Sequence, residues 1–159
     1  MDAVPRLADL LMARRWTLAT AESCTGGLIA AACTDVAGSS AWFDRGFVTY
    51  SNQAKTDMLG VDAGLIDTHG AVSEAVARAM AEGALQRAGV DVAVAVTGIA
   101  GPGGGSPSKP VGTVWLAWAV RGHATSAQCI VFSGERAQVR QQTCEAALNG
   151  LIARLGPCP

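Results

Sequence analysis

Apolar residues in "VPRLADLLMARR" fall at Val4, Leu7, Leu10 and Leu11, the spacing of one helical face. "WTLATAE" then reads as a short buried strand, and "SCTGGLIAAACTDV" as a turn into a helix whose small residues suit close packing on a sheet. "GSSAWFDR" reads as a loop. In "GFVTYSN", Val48 and Tyr50 alternate with Phe47, Thr49 and Ser51 at period two, as in a strand. The alternation breaks at Asn52, and "KTDMLGV" is helix-like. "AVSEAVARAMAEGALQRAG" predicts a helix with Ser73 as its cap, Glu74 at its positive end and Gly89 as its stop. "VDVAVAVTG" is apolar on both faces and suits a central strand covered on both sides. "GTVWLAWAV" and "ATSAQCIVF" flank Arg121, Gly122 and His123 as a hairpin, and "ERAQVRQQTCEAALNGLIARL" closes the pattern as a helix. Strands alternating with helices, then a hairpin and a helix, predict an α/β fold. Its expected form is a three-layer α/β/α sandwich with a mixed, mainly parallel sheet.

Composition narrows the class. At 159 residues, half of them apolar, the chain is long enough for one domain with a full core, read over residues 1–159. The apolar runs are short, and none approaches the roughly 20 residues of a membrane span. Met1 and Asp2 lead into an amphipathic segment without the cationic start and apolar core of a signal peptide, so a cytoplasmic location and no membrane partner are expected. The formal net charge is −1 with no basic run, which gives no footprint for nucleic acid. Five cysteines (Cys24, Cys33, Cys129, Cys144 and Cys158) lack C-x-x-C spacing and read as reduced, mostly buried thiols. The two histidines, His69 and His123, are far apart, which argues against a His-based metal site and a Ser-His-Asp triad.

Three stretches carry candidate chemistry. "AESCTGG", residues 21 to 27, lies where a strand ends and a helix begins. Unpaired N–H groups there favour an anion; Ser23 and Thr25 add hydroxyls, and Gly26 and Gly27 permit close approach. The same residues also fit a helix cap with glycines for packing. "TGIAGPGGGSPSKP", residues 97 to 110, suits a loop folded round a ligand, or a flexible surface loop. It lacks G-x-x-x-x-G-K-[ST], and Ser106 stands where a dinucleotide fingerprint needs its third glycine. The third set is Ser39 and Ser40, Tyr50 and Lys55. With histidine scarce, a lysine of lowered pKa is the available base for a serine, and a tyrosine could relay the proton. A loop serine, a strand tyrosine and a solvated lysine would give the same spacing. Glu22 stands at a strand end, where it could hold a sugar hydroxyl or tie down a loop. Arg136 and Arg140 lie one helical turn apart and could reach a phosphate or form a solvated face. Cys24 could be a thiolate at a helix N-terminus but, with no histidine partner, reads as a packed thiol; Trp115 and Trp118 do not share a strand face and read as packing or interface residues.

"TLATAESCTGGLIA", "GSSAWFDRGFVTYSNQAK", "HGAVSEAVARAMAEGAL", "AVTGIAGPGGGSPSKPVGTV" and "GERAQVR", in this order, resemble the CinA C-terminal domain family. Within it, the chain resembles the stand-alone nicotinamide mononucleotide (NMN) deamidases. Longer members carry an additional N-terminal domain resembling molybdopterin-binding proteins. No counterpart is seen here, so its pyrophosphatase activity is not expected.

The resemblance implies an amidase that converts NMN and water to nicotinic acid mononucleotide and ammonia, without cofactor or metal. A homo-oligomer is compatible with it. It implies Ser40 as nucleophile with Tyr50 and Lys55 as activating partners; Ser23 is the rival nucleophile and Ser39 a distant third. Glu22, Ser23, Thr25 and Gly26 are expected to line the substrate site. Thr97, Gly98 and Gly101 would form its opposite wall, and Arg136 a phosphate ligand. The competing expectation is a nucleotide-binding or protein-interaction module, which would not need the serine, tyrosine and lysine set.

Overall fold

The computed structural model describes residues 2–157; Cys158 lies outside them. Five strands form one sheet in the order β2-β1-β3-β4-β5: β1 Leu18–Glu22, β2 Phe43–Val48, β3 Val92–Gly98, β4 Thr113–Val120 and β5 Ser126–Val131. β1 pairs in parallel with both β2 and β3, whereas β3–β4 and β4–β5 are antiparallel. β5 therefore runs the same way as the first three strands, and only β4 is reversed.

One apolar cluster packs under α1 (Ala3–Arg14), α2 (Leu28–Thr34) and α6 (Arg136–Leu155), and includes Leu7, Leu18, Val94, Leu116 and Leu148. The other packs under α3 (Asn52–Leu59), α4 (Ala63–His69) and α5 (Glu74–Ala88), and includes Ala21, Leu59, Ile66, Met80 and Ala95. Successive strand residues point to opposite faces, so Val94 and Ala95 serve different clusters. The three-layer α/β/α sandwich follows.

Local chemistry explains most element ends. The Ser73 hydroxyl accepts from Val76 N–H at 3.3 Å to start α5, and Gly89 ends it at φ 64°. β2 begins earlier than its alternation suggests, because the register shifts between Leu18 and Ala19 and places Phe43 and Arg45 opposite consecutive residues. "WFD" is thus partly strand rather than loop.

The chain leaves β1 for β2 on one side and returns to β3 on the other. Open α/β sheets bind ligands in the crevice beyond the carboxyl ends of such diverging strands. Here those ends are Glu22-Ser23 and Gly98.

Candidate active site

A cavity of about 300 Å³ opens at this crevice, with Ser23 and Lys55 on one wall and Thr97 to Gly104 on the other. Ser23 follows the last residue of β1, and its N–H donates to Val96 O at 3.1 Å, which fixes it to the sheet. Lys55 sits one turn into α3, whose start is capped by Ser51 accepting from Ala54 N–H at 3.0 Å. That cap aims the lysine back at β1.

Lys55 is 1 % exposed. Its Nζ lies 3.1 Å from Ser23 Oγ and 3.1 Å from Thr49 O, with the Tyr50 and Ser51 carbonyls at 3.5 Å. Among the described residues it forms no ion pair, and no carboxylate lines the cavity. Burial holds its pKa below the ordinary 10.5, opposed only by the neighbouring Cys24. That thiol is itself pushed up to about 11 by burial, so it is uncharged at neutral pH and supplies no counter-ion. The outcome is an amine biased towards its neutral form against a serine hydroxyl.

The Tyr50 side chain is not part of that contact. Its ring is 61 % exposed, and its hydroxyl accepts from Arg136 Nη2 at 3.0 Å. Arg136 also donates from Nη1 to Gly101 O at 2.9 Å, and so ties the first turn of α6 to the glycine-rich loop. Thr97 Oγ1 donates to Ala71 O at 2.9 Å and anchors the segment before α5 across the cavity floor. At Gly98 a side chain would meet Val114 Cγ2 at 2.6 Å, so only glycine lets β4 pack here.

Other expected site residues lie apart from the cavity. Ser40 is in the short turn Ser39–Ala41 before β2, whereas Lys55 follows the far end of that strand. Six strand residues separate those ends by roughly 15–20 Å, so Ser40, Tyr50 and Lys55 do not form one set. Glu22, expected to hold a substrate hydroxyl, is fully buried and points to the opposite sheet face from Ser23. Its carboxylate accepts from Thr25 Oγ1 at 2.7 Å, Ile29 N–H at 2.9 Å, Ala30 N–H at 3.0 Å, Gly27 N–H at 3.2 Å and Thr20 Oγ1 at 3.3 Å. The anion-binding end of α2 is therefore filled by the protein's own carboxylate. Thr25 is buried as a donor to it, and Gly26, at φ 57°, makes the turn.

The sequence left Arg140 open to a phosphate contact or a solvated face. Instead its Nε donates to Cys24 O at 3.0 Å and its Nη2 to Thr25 O at 3.1 Å. Its spacing from Arg136 was the available sign that both arginines face the same strand ends. Among the described residues no group of three or more His, Cys, Asp or Glu could hold a metal ion. No helix among them is long and apolar enough to cross a membrane.

An open α/β sheet with a buried lysine on a strand-end serine defines a class of molecule with a small-ligand crevice. The chain belongs to the CinA C-terminal domain family, whose model matches residues 2–155. It is 59% identical over 134 residues to a CinA-like protein of Akkermansia muciniphila, covering 84% of this chain but 32% of that protein. The chain thus spans about a third of the length of such longer relatives. It is 54% identical over 153 residues to the nicotinamide-nucleotide amidohydrolase PncC of Escherichia coli K12, covering 95% of this chain and 92% of that protein. The crystal structure of the competence/damage inducible protein CihA from Agrobacterium tumefaciens superposes with a TM-score of 0.93 at 50% identity, over 96% of this chain and 93% of that one.

Proposed function

We propose that this protein is a nicotinamide-nucleotide amidase that hydrolyses the carboxamide of NMN to nicotinic acid mononucleotide and ammonia, a salvage step for pyridine nucleotides. Ser23 is the nucleophile and Lys55 its base. The observation that carries the reading is the 3.1 Å contact between Lys55 Nζ and Ser23 Oγ inside a cavity without carboxylates. The likeness to PncC over nearly its full length supplies the substrate class.

The chemistry balances with these groups. In its neutral form Lys55 accepts the Ser23 hydroxyl proton as Oγ attacks the carboxamide carbon. The carbonyl oxygen becomes an oxyanion beside the backbone N–H groups that follow Ser23. Lys55, now an ammonium, returns the proton to the departing nitrogen, and ammonia leaves an acyl-serine. Water then attacks the acyl carbon as Lys55 takes its proton, and collapse passes that proton from Lys55 to the departing Ser23 Oγ, which releases the acid and restores both groups.

Binding falls to the opposite wall. Arg136 is the phosphate ligand, with the Tyr50 hydroxyl on its Nη2 as the partner a phosphate oxygen would replace. Thr97, Gly98 and Gly101 shape the cavity for the sugar and ring. The cationic pyridinium ring enters a site without anions and further disfavours protonation of Lys55.

The test is incubation of the purified protein with NMN, with ammonia and the acid product both quantified. Turnover by the wild type, lost in Ser23→Ala and kept in Ser40→Ala, is the expected result. Absence of product, or full activity in Ser23→Ala, would overturn the reading.

A further inference from the structure

The two backbone donors after the proposed nucleophile are unusual. Cys24 and Thr25 are 6% and 0% exposed, yet neither N–H donates to a backbone or side-chain oxygen among the described residues. Buried N–H groups are nearly always paired; the Cys24 N–H meets only its own thiol and the Thr25 N–H has no oxygen acceptor among the described residues, so both are open to an incoming oxygen. Their orientation depends on the carbonyls that share their peptide planes. The Ser23 carbonyl, on the plane of the Cys24 N–H, accepts from Gly26 N–H at 3.1 Å. The Cys24 carbonyl, on the plane of the Thr25 N–H, accepts from Arg140 Nε at 3.0 Å. The Thr25 carbonyl, on the plane of the Gly26 N–H, accepts from Arg140 Nη2 at 3.1 Å.

A peptide unit is rigid and its N–H opposes its C=O. One guanidinium therefore holds two successive planes directly and, through Gly26, the third. Its charge also draws electron density towards those carbonyls and makes the N–H groups behind them stronger donors. A guanidinium suits the task because it offers several donors in a fixed fork. Gly26, at φ 57°, supplies the turn that leaves the Thr25 carbonyl facing it.

We propose that Arg140 is a positioning residue for the oxyanion site, acting through the Cys24 and Thr25 N–H groups without touching substrate. This rests on the amidase reading above. Arg140 serves the nucleophile's wall while Arg136, one turn earlier, braces the glycine-rich wall, so α6 sets the spacing of the two.

The substitution Arg140→Ala tests it, with Arg140→Lys as a milder variant that keeps the charge but loses the fork. Wild-type turnover of NMN is measured first; if it is absent, the amidase reading fails. Given turnover, Arg140→Ala should lower kcat about ten- to a hundredfold, a fraction of the loss seen when an oxyanion donor is removed outright. KM should move less than threefold, since ground-state binding lies on the other wall. Added guanidinium ion should restore part of kcat to Arg140→Ala and none to Ser23→Ala. Arg140→Lys should fall between wild type and Arg140→Ala. Wild-type kcat in a folded Arg140→Ala, or a loss that appears in KM alone, would overturn the assignment. A loss of kcat in folded protein that guanidinium leaves unchanged would do the same. If Arg140→Ala does not fold, Arg140→Lys decides: kcat equal to wild type refutes the role.

Discussion

Substituting Lys55 by methionine removes one buried amine and keeps most of its stem, so the effect of pH on stability isolates that amine. Lys55 has its folded pKa lowered by burial, whereas the unfolded chain returns it to the ordinary 10.5. The unfolded state therefore binds the proton more tightly. As pH falls from 10.5, the unfolded state gains protons first and stability is lost, until the folded pKa is reached. Going upward from the folded pKa, stability climbs by about 1.4 kcal/mol for each pH unit. For a domain of this size that is about 3–5 °C in Tm per unit.

The buried thiols act in the opposite sense. Burial raises Cys24 and Cys144 to about 11 and Cys33 to about 12, from an ordinary 9.0. They keep their protons in the folded state and cost stability once the unfolded thiols ionise near pH 9. Thermal melts of wild type and Lys55→Met between pH 6.5 and 8.5 avoid that region, and subtracting the two curves cancels every other shared group. The wild-type Tm should climb relative to the variant across the interval above the folded pKa. The level of the variant's curve is not the readout, because Thr49 O and Ser23 Oγ lose a donor at every pH. Parallel curves would mean that Lys55 keeps its proton throughout that interval, and its role as base at those pH values would fall. In the wild type, kcat/KM for NMN should rise with pH through the same midpoint. Lys55→Arg should not restore turnover, because a guanidinium does not give up its proton.

Arg136→Ala should weaken kcat/KM for NMN about ten- to a hundredfold, mainly through KM, while the riboside without phosphate changes little; equal losses on both would make Arg136 structural. Tyr50→Phe removes a hydroxyl that faces Arg136 rather than Lys55, so steady-state kinetics should show a change in KM and a kcat within about threefold of wild type; a hundredfold fall in kcat would return the tyrosine to proton transfer. Glu22→Gln puts an amide where two or three donors converge and should cost about 3 kcal/mol, read as a drop of roughly 1–2 M in the urea midpoint with an unchanged slope; an unaltered midpoint would mean that the carboxylate does not hold the start of α2.

Much of the fold could be read from the chain because local and tertiary signals agree. The cap, first-turn charge and terminal glycine of α5 all lie where the sequence put them, and "VAVAV" is buried on both faces of the sheet. α4 went unread because it is seven residues long and buries only Ile66, too little for a periodicity to emerge. Its start is nonetheless marked: Asp62 accepts from Gly64 N–H at 2.8 Å. The early start of β2 was hidden by the register shift, which spoils alternation at the residues that would have displayed it.

The site shows where sequence proximity misleads and where strand parity would have corrected it. Ser40 is nearer to Lys55 along the chain than Ser23, which is 32 residues away. But β2 runs the length of the sheet between Ser40 and Lys55, while β1 and β2 run in parallel and bring the residues after both strands to one edge. A parallel pair makes residues that follow equivalent strands neighbours, and residues before and after one strand remote. Parity then separates Glu22 from Ser23. Period two puts Glu22 with Thr20, on the face that α2 covers, and Ser23 with Ala21, whose neighbours include Leu59 of α3 and Met80 of α5. Only the second face carries Lys55. The carboxylate was thus directed to α2 and the hydroxyl to the lysine by one step along β1. What parity could not supply is the 3.1 Å contact itself, which depends on the Ser51 cap setting the rotation of α3.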